Sequence, residues 1–146
     1  AKATFYKHFP SRDDLVVAYL VEIDRLGRAD VDALPAETPR ERIAAIIGRI
    51  SNAALASGFR GCPFLNAAAE YPDPASAVRQ AVNARREWYH ETLRELLAED
   101  GDPTPAVTAS LLVALSDGLL EIAYLDDPAE VPMLVNAALE KLLRQM

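Results

Sequence analysis

One cysteine among 146 residues, Cys62, leaves no internal disulfide framework to be built and excludes the stapled, secreted mini-domain. Long apolar runs are also missing. The longest, Ala53–Ala56 and Leu111–Leu115, fall far short of the roughly 18 residues that suggest a membrane span. The sequence therefore reads as that of a soluble protein. No basic-apolar-small leader stands at the start, so a reducing cytoplasm is the expected compartment. Strict apolar–polar alternation is almost absent, which removes a half-buried β-sheet from consideration. No glycine-rich phosphate loop, zinc-ligand spacing or nucleophile elbow occurs, so nucleotide, zinc and hydrolase chemistry lack their usual frames. What is present is a chain long enough to bury roughly 70% of its unfolded surface, so that folding needs no metal or covalent staple.

Acidic residues number 22 against 15 lysines and arginines, giving a net charge of −7, which over the whole surface disfavours nonspecific contact with nucleic acid. The first twelve residues, AKATFYKHFPSR, nevertheless contain no acid. With Lys2, Lys7 and Arg12 they carry +3 and leave −10 on the remainder. A basic head on an acidic body points to a nucleic-acid or membrane contact at one end. The chain opens on Ala1 inside a helical-looking stretch, and the head is accordingly expected to be incomplete.

Helix punctuation recurs along the rest. Ser11 followed by Asp14 forms a capping box that predicts a helix from Arg12, with apolar positions Leu15, Val16, Tyr19, Leu20, Ile23 and Leu26 at helical spacing. Thr38-Pro39-Arg40-Glu41 repeats the signal ahead of the stripe Ile43, Ile46, Ile47, Ile50, Ala54 and Leu55, with the next stop at Gly58. Glycines and prolines bracket a short helix over Pro63–Glu70. Asp73 caps a helix expected from Pro74 to Asp100-Gly101, roughly 39 Å long at 1.5 Å per residue. Thr104-Pro105 opens the next, whose apolar arc is wide enough to face both its own core and something else. A last helix begins near Pro128. The prediction is an all-α bundle without internal repeat or linker.

The segment AKATFYKHFPSRDDL turns a short basic helix abruptly at Phe9-Pro10 into a capped long one. Thr4, Phe5, Tyr6, His8, Phe9, Ser11, Arg12 and Leu15 match S-x-x-T-[LF]-Y-x-H-F-x-[SN]-[KR]-[ED]-x-L, and on these residues the chain resembles the TetR family of bacterial one-component regulators. The motif covers about fifteen residues, and the order of helices behind it is also the family's. The resemblance implies that residues 1–10 are the remnant of a helix-turn-helix, lacking the two helices that precede the recognition helix. Residues 11–146 would form a ligand-binding and dimerisation domain. Lys2, Ala3 and Thr4 would then reach base edges in the major groove, and Tyr6, Lys7 and His8 would reach phosphates. Arg12 would add charge at a helix N-terminus already suited to phosphate. Taken singly, Tyr6 or His8 would read as a surface aromatic.

The resemblance further implies a ligand cavity in the middle bundle and dimerisation through the two final helices, with release from a palindromic operator by a small effector. Polar and aromatic candidates for ligand contact are Phe59, Cys62, Phe64, Asn66, Tyr71, Asn83, Trp88 and Tyr124. The stripes around them are Ile, Leu, Val and Ala, which fits a largely apolar effector, and no cofactor is called for. Cys62 reads either as a redox sensor or as a small filler, with no second cysteine or basic cluster to favour its thiolate. Ser110, Ala114 and Gly118 repeat every four residues as a small-residue strip, and with Leu115 and Leu139 they are the expected homodimer contacts. Two other readings remain open at this level: a dimerisation scaffold without effector, and an enzyme. Glu87 and His90 have the Glu-x-x-His spacing of di-iron bundles, but the motif occurs once and a dinuclear site needs it twice.

Overall fold

The computed structural model describes residues 9–143, and among these every regular element is a helix. Six α-helices follow in order: α1 (Arg12–Asp32), α2 (Pro39–Ala54), α3 (Pro63–Glu70), α4 (Ala77–Glu99), α5 (Pro105–Leu125) and α6 (Val131–Leu143), with a 3₁₀ turn over Pro128–Glu130 ahead of the last. The all-α expectation holds.

Local chemistry explains most of the boundaries. At α1 the Asp14 carboxylate accepts from the Ser11 N–H at 3.0 Å, while the Asp14 N–H donates to Ser11 Oγ at 3.1 Å, so two otherwise orphaned donors are satisfied reciprocally. Thr38 and Glu41 do the same for α2, with Pro39 in the first turn where its missing N–H costs nothing. The backbone N–H groups of Glu37 and Thr38 and the Thr38 hydroxyl hold the Glu41 carboxyl below its usual range.

Four boundaries or faces depart from the sequence reading. Helix α4 starts at Ala77 rather than Pro74, because Asp73 spends its carboxylate on the Ala75 N–H in a turn and Ser76 Oγ accepts from the Arg79 N–H instead. It is therefore about 34 Å long. The α5 start at Thr104-Pro105 holds, but Thr104 makes no side-chain cap; the buried Asp102 carboxylate accepts the Thr104 N–H at 2.6 Å in its place. Pro128 opens a 3₁₀ turn that Asp127 caps, and the α-helix proper begins at Val131. Leu55, Tyr19 and Leu26 lie exposed instead of in the buried stripes, and α2 ends at Ala54 before the turn that leads to Gly58 at φ +77°. Helical spacing places these side chains on a face but cannot say where coverage of that face ends.

The described residues gather into two compact units that are not consecutive in the chain. One holds α1, α3 and α4 through Arg86; its buried side chains include Leu20, Val31, Phe64, Ala67, Val78 and Val82. The other holds α2, the part of α4 from Glu87, α5 and α6. There α2 packs on α6 and α5, and Ile43, Ile47, Leu93, Leu97, Leu112, Val131 and Val135 are almost wholly removed from water. Arg40 ties the start of α2 to the end of α4 through Asp100 at 2.8 Å. By length and composition α5 could cross a bilayer, a property the short apolar runs did not reveal, because Ser116 and Asp117 interrupt them. It nonetheless buries Leu112 and Leu119 within its unit and carries Asp117 and Glu121, as a core helix does.

Candidate functional site

In the first unit the start of α1 and the end of α3 meet through consecutive residues. Arg12 Nη2 lies 3.2 Å from Glu70 Oε2, and the Tyr71 hydroxyl donates to Asp13 Oδ1 at 3.0 Å. The Asp13 carboxylate, accepting this bond, pushes the Tyr71 phenol up, so the phenol stays a donor at neutral pH. Arg79 Nη1 reaches the carbonyls of Tyr71 and Pro72, both at 3.4 Å, and pins the chain as it leaves α3.

Deeper in the same unit, Phe64 is buried and the Arg85 guanidinium stands over its ring at 5.8 Å from the centroid. Arg85 Nη1 also pairs with Asp24 at 3.3 Å, and Asp24 in turn pairs with Arg28 at 2.7 Å. An aromatic on α3, a cation on α4 and an anion on α1 thus form one connected set. Asn66 and Asn83, the expected polar contacts of this unit, lie on its exposed surface.

The second unit holds the other ligand candidates. Phe59, Cys62 and Trp88 are half-buried, and Tyr124 is exposed. Trp88 neighbours Tyr89 with ring centroids 6.5 Å apart. Tyr89 reaches across to α5, its hydroxyl 3.0 Å from the buried Ser116 Oγ. Since Ser116 Oγ gives its proton to the Leu112 carbonyl at 2.7 Å, the phenol is the donor in this pair. His90 Nε2 lies 3.1 Å from Ser110 Oγ, whose own proton goes to the Ala106 carbonyl, so the ring donates here as well. This places the Glu-x-x-His histidine in a helix-to-helix hydrogen bond. Among the described residues no three His, Cys, Asp or Glu side chains gather as metal ligands would.

The two sides of α5 differ sharply. Ala109, Leu112, Val113, Ser116, Leu119 and Ala123 face the unit's core, whereas Val107, Leu111, Ala114, Gly118, Tyr124 and Leu125 are exposed. Ser110 lies on the exposed side, and Leu115 is half-buried. On α6 Met133 is 64% exposed and Leu139 half-buried. A Cβ built on Gly118 would meet no atom within 4 Å, so the space above it is open in the single chain.

The fold built from these helices is shared with known proteins. The family description "Tetracyclin repressor-like, C-terminal domain" matches residues 39–139. The chain belongs to the TetR family. A TetR-family transcriptional regulator from Streptomyces coelicolor is 41% identical and superposes with a TM-score of 0.94, over 99% of this chain and 78% of that one. A protein assigned as a TetR transcriptional regulator from Streptomyces avermitilis is 27% identical with a TM-score of 0.75, over 94% of this chain and 80% of that one. No curated protein matches. The fold is that of a TetR-family transcriptional regulator, and its structural relatives are regulators rather than enzymes.

Of the DNA-contact residues expected for a TetR head, Arg12 is described, largely in water at the first turn of α1. Lys2, Ala3, Thr4, Tyr6, Lys7 and His8 lie outside the described residues. The sequence reading places Arg85 in the α4 stripe with Val78, Ala81, Val82, Trp88 and Tyr89 but gives no site role to it, nor to Asp24, Glu70 or Ser116. Arg85 carried a usable signal, since an arginine inside the stripe Val78, Val82, Trp88, Tyr89 must find an anion when it folds inward. Ser116 sits four residues after Leu112, on the same side of α5. For Glu70 nothing but its place beside Tyr71 was available.

Proposed function

We propose that this TetR-family chain forms the effector-binding and dimerisation body of a cytoplasmic transcriptional repressor that binds a palindromic operator as a homodimer. A small, largely apolar effector releases it. The observation that carries the reading is the uncovered side of α5. Val107, Leu111, Ala114, Gly118 and Leu125 follow one another at intervals of four, three, four and seven, the seam spacing of paired helices, while the opposite side of the helix is fully used by the core. Met133 of α6 adds exposed apolar surface. An exposed apolar face of this kind, interrupted by Glu121 between Gly118 and Leu125, calls for a partner on a non-membrane bundle. A second copy suits a helix-turn-helix regulator, whose two heads read two half-sites.

For the effector, the support is the half-buried pair Trp88 and Tyr89 with the buried Ser116 in the second unit and the Phe64–Arg85–Asp24 set in the first. Both offer apolar surface with a few oriented polar atoms. In protein carrying a complete helix-turn-helix domain, a thermal-shift screen of apolar and cationic small molecules, followed by operator titration, tests the whole reading. Hits that stabilise the fold should lower operator affinity by the same factor by which operator lowers theirs. Trp88→Ala should fold and lose the response. If hits stabilise the protein but none alters operator affinity, the body is a dimerisation scaffold without effector. A normal response in Trp88→Ala returns that side chain to packing.

A further inference from the structure

We propose that Glu70 is an internal competitor for the Arg12 guanidinium, holding the affinity for DNA below what the same protein with a neutral residue 70 would have. The inference rests on the proposed operator-binding reading, together with the phosphate contact that the TetR resemblance implies for Arg12. A guanidinium fork presents its N–H donors to two planar oxygens, and carboxylate and phosphate both offer that geometry. With Arg12 Nη2 at 3.2 Å from Glu70 Oε2, the donor edge that would reach phosphate is turned to an acid of the same chain.

Three features make this a built contact rather than a chance meeting of surface charges. The next residue on each side is also paired, Tyr71 donating to Asp13 at 3.0 Å, so the first turn of α1 and the last of α3 are held in one register. Arg79 fixes the chain just beyond Tyr71 through two backbone carbonyls. The bend that follows, Pro72 to Pro74, restricts the backbone and limits how far the segment can swing. The pair is also suited to exchange. Its side chains are 78% and 64% exposed, so it contributes little to folding and can be traded for phosphate at small cost. Each departure of Arg12 toward DNA must nevertheless break it, and that cost is subtracted from the phosphate contact.

The test uses protein carrying a complete helix-turn-helix domain and a fluorescein-labelled random-sequence duplex, because a phosphate contact is read on any sequence. Anisotropy titrations across a salt series should show Glu70→Gln binding about two- to fivefold tighter at low salt, the range that an exposed pair commands. The dependence of log Kd on log salt should steepen by up to about one phosphate contact. Tyr71→Phe, which loosens the register without removing the acid, should tighten binding in the same direction and by less. In an Arg12→Ala background neither substitution should have an effect. An unchanged Kd for Glu70→Gln overturns the proposal, as does equal tightening with and without Arg12, which would make Glu70 a general repulsive charge. Absence of binding by the unsubstituted protein at low salt would instead overturn the DNA-binding reading, and this inference with it.

Discussion

Ala114→Glu tests the partner face of α5 at the least cost to the fold. Ala114 is exposed in the single chain, between Leu111 and Gly118 on the side that the core does not use. Alanine and glutamate are both good helix formers, so at this exposed position the change in stability stays at about 0.5 kcal/mol, with the like charge of Asp117 three residues on contributing a few tenths. The protomer should therefore melt as before. In a twofold dimer the change appears twice, because the same patch serves both subunits. A carboxylate left without a partner in a dry interface costs about 3 kcal/mol, so two amount to roughly 6 kcal/mol. At 1.4 kcal/mol per decade the dissociation constant rises by about four orders of magnitude, enough to turn a nanomolar dimer into a monomer at low micromolar protein. Sedimentation equilibrium reads the mass directly, and circular dichroism confirms the helix content. Leu139→Glu on α6 should act in the same direction. An unchanged dimer mass for both variants would remove α5 and α6 from the interface and refute the argument from uncovered apolar surface.

Two further perturbations address the ends of helices. Thr38→Ala removes the hydroxyl that accepts the Glu41 N–H at 3.2 Å and should cost about 1 kcal/mol in urea unfolding with an unchanged m-value; a midpoint equal to the parent's would mean that Glu41 alone satisfies that end of α2. The Asp102 carboxyl is held below its usual range by the Thr108 hydroxyl and the Thr104 N–H, against the opposing pull of burial. Folding therefore favours its charged form, and the resulting stability is complete above the unfolded value of about 3.9 and disappears as pH falls through the lower folded value. The difference in melting temperature between the parent and Asp102→Asn should hold steady down to about pH 5 and close below about pH 4. A difference that widens on acidification would show that the carboxyl is stabilising in its protonated form.

The sequence by itself determined the helices and the starts of α1, α2, α3 and α5, because these depend on neighbours in the chain. Ser11 with Asp14 and Thr38 with Glu41 close capping boxes within one turn, and the glycines and prolines around Pro63–Glu70 set both ends of α3. Where two local signals competed, spacing alone was insufficient. Asp73 and Ser76 could each cap α4, and the choice of Ser76 appears only in the folded backbone, where Asp73 is already engaged by Ala75. Coverage was out of reach for a different reason. Leu26 and Leu20 share helical spacing, yet one is exposed and the other buried, since burial depends on which other helix lies opposite.

The same reason separates the two halves of the candidate site. The Arg12 motif was legible because it is fifteen consecutive residues, but its partner Glu70 lies 58 positions away. Arg85 and Asp24 are 61 apart, and Tyr89 and Ser116 are 27 apart. No periodicity relates such pairs, because loop closure and packing, not local backbone preference, bring them together. The sequence decided which residues could carry charge, donate a proton or form an apolar face; only the tertiary structure decided that the arginine beside the head would pair with an acid 58 positions away.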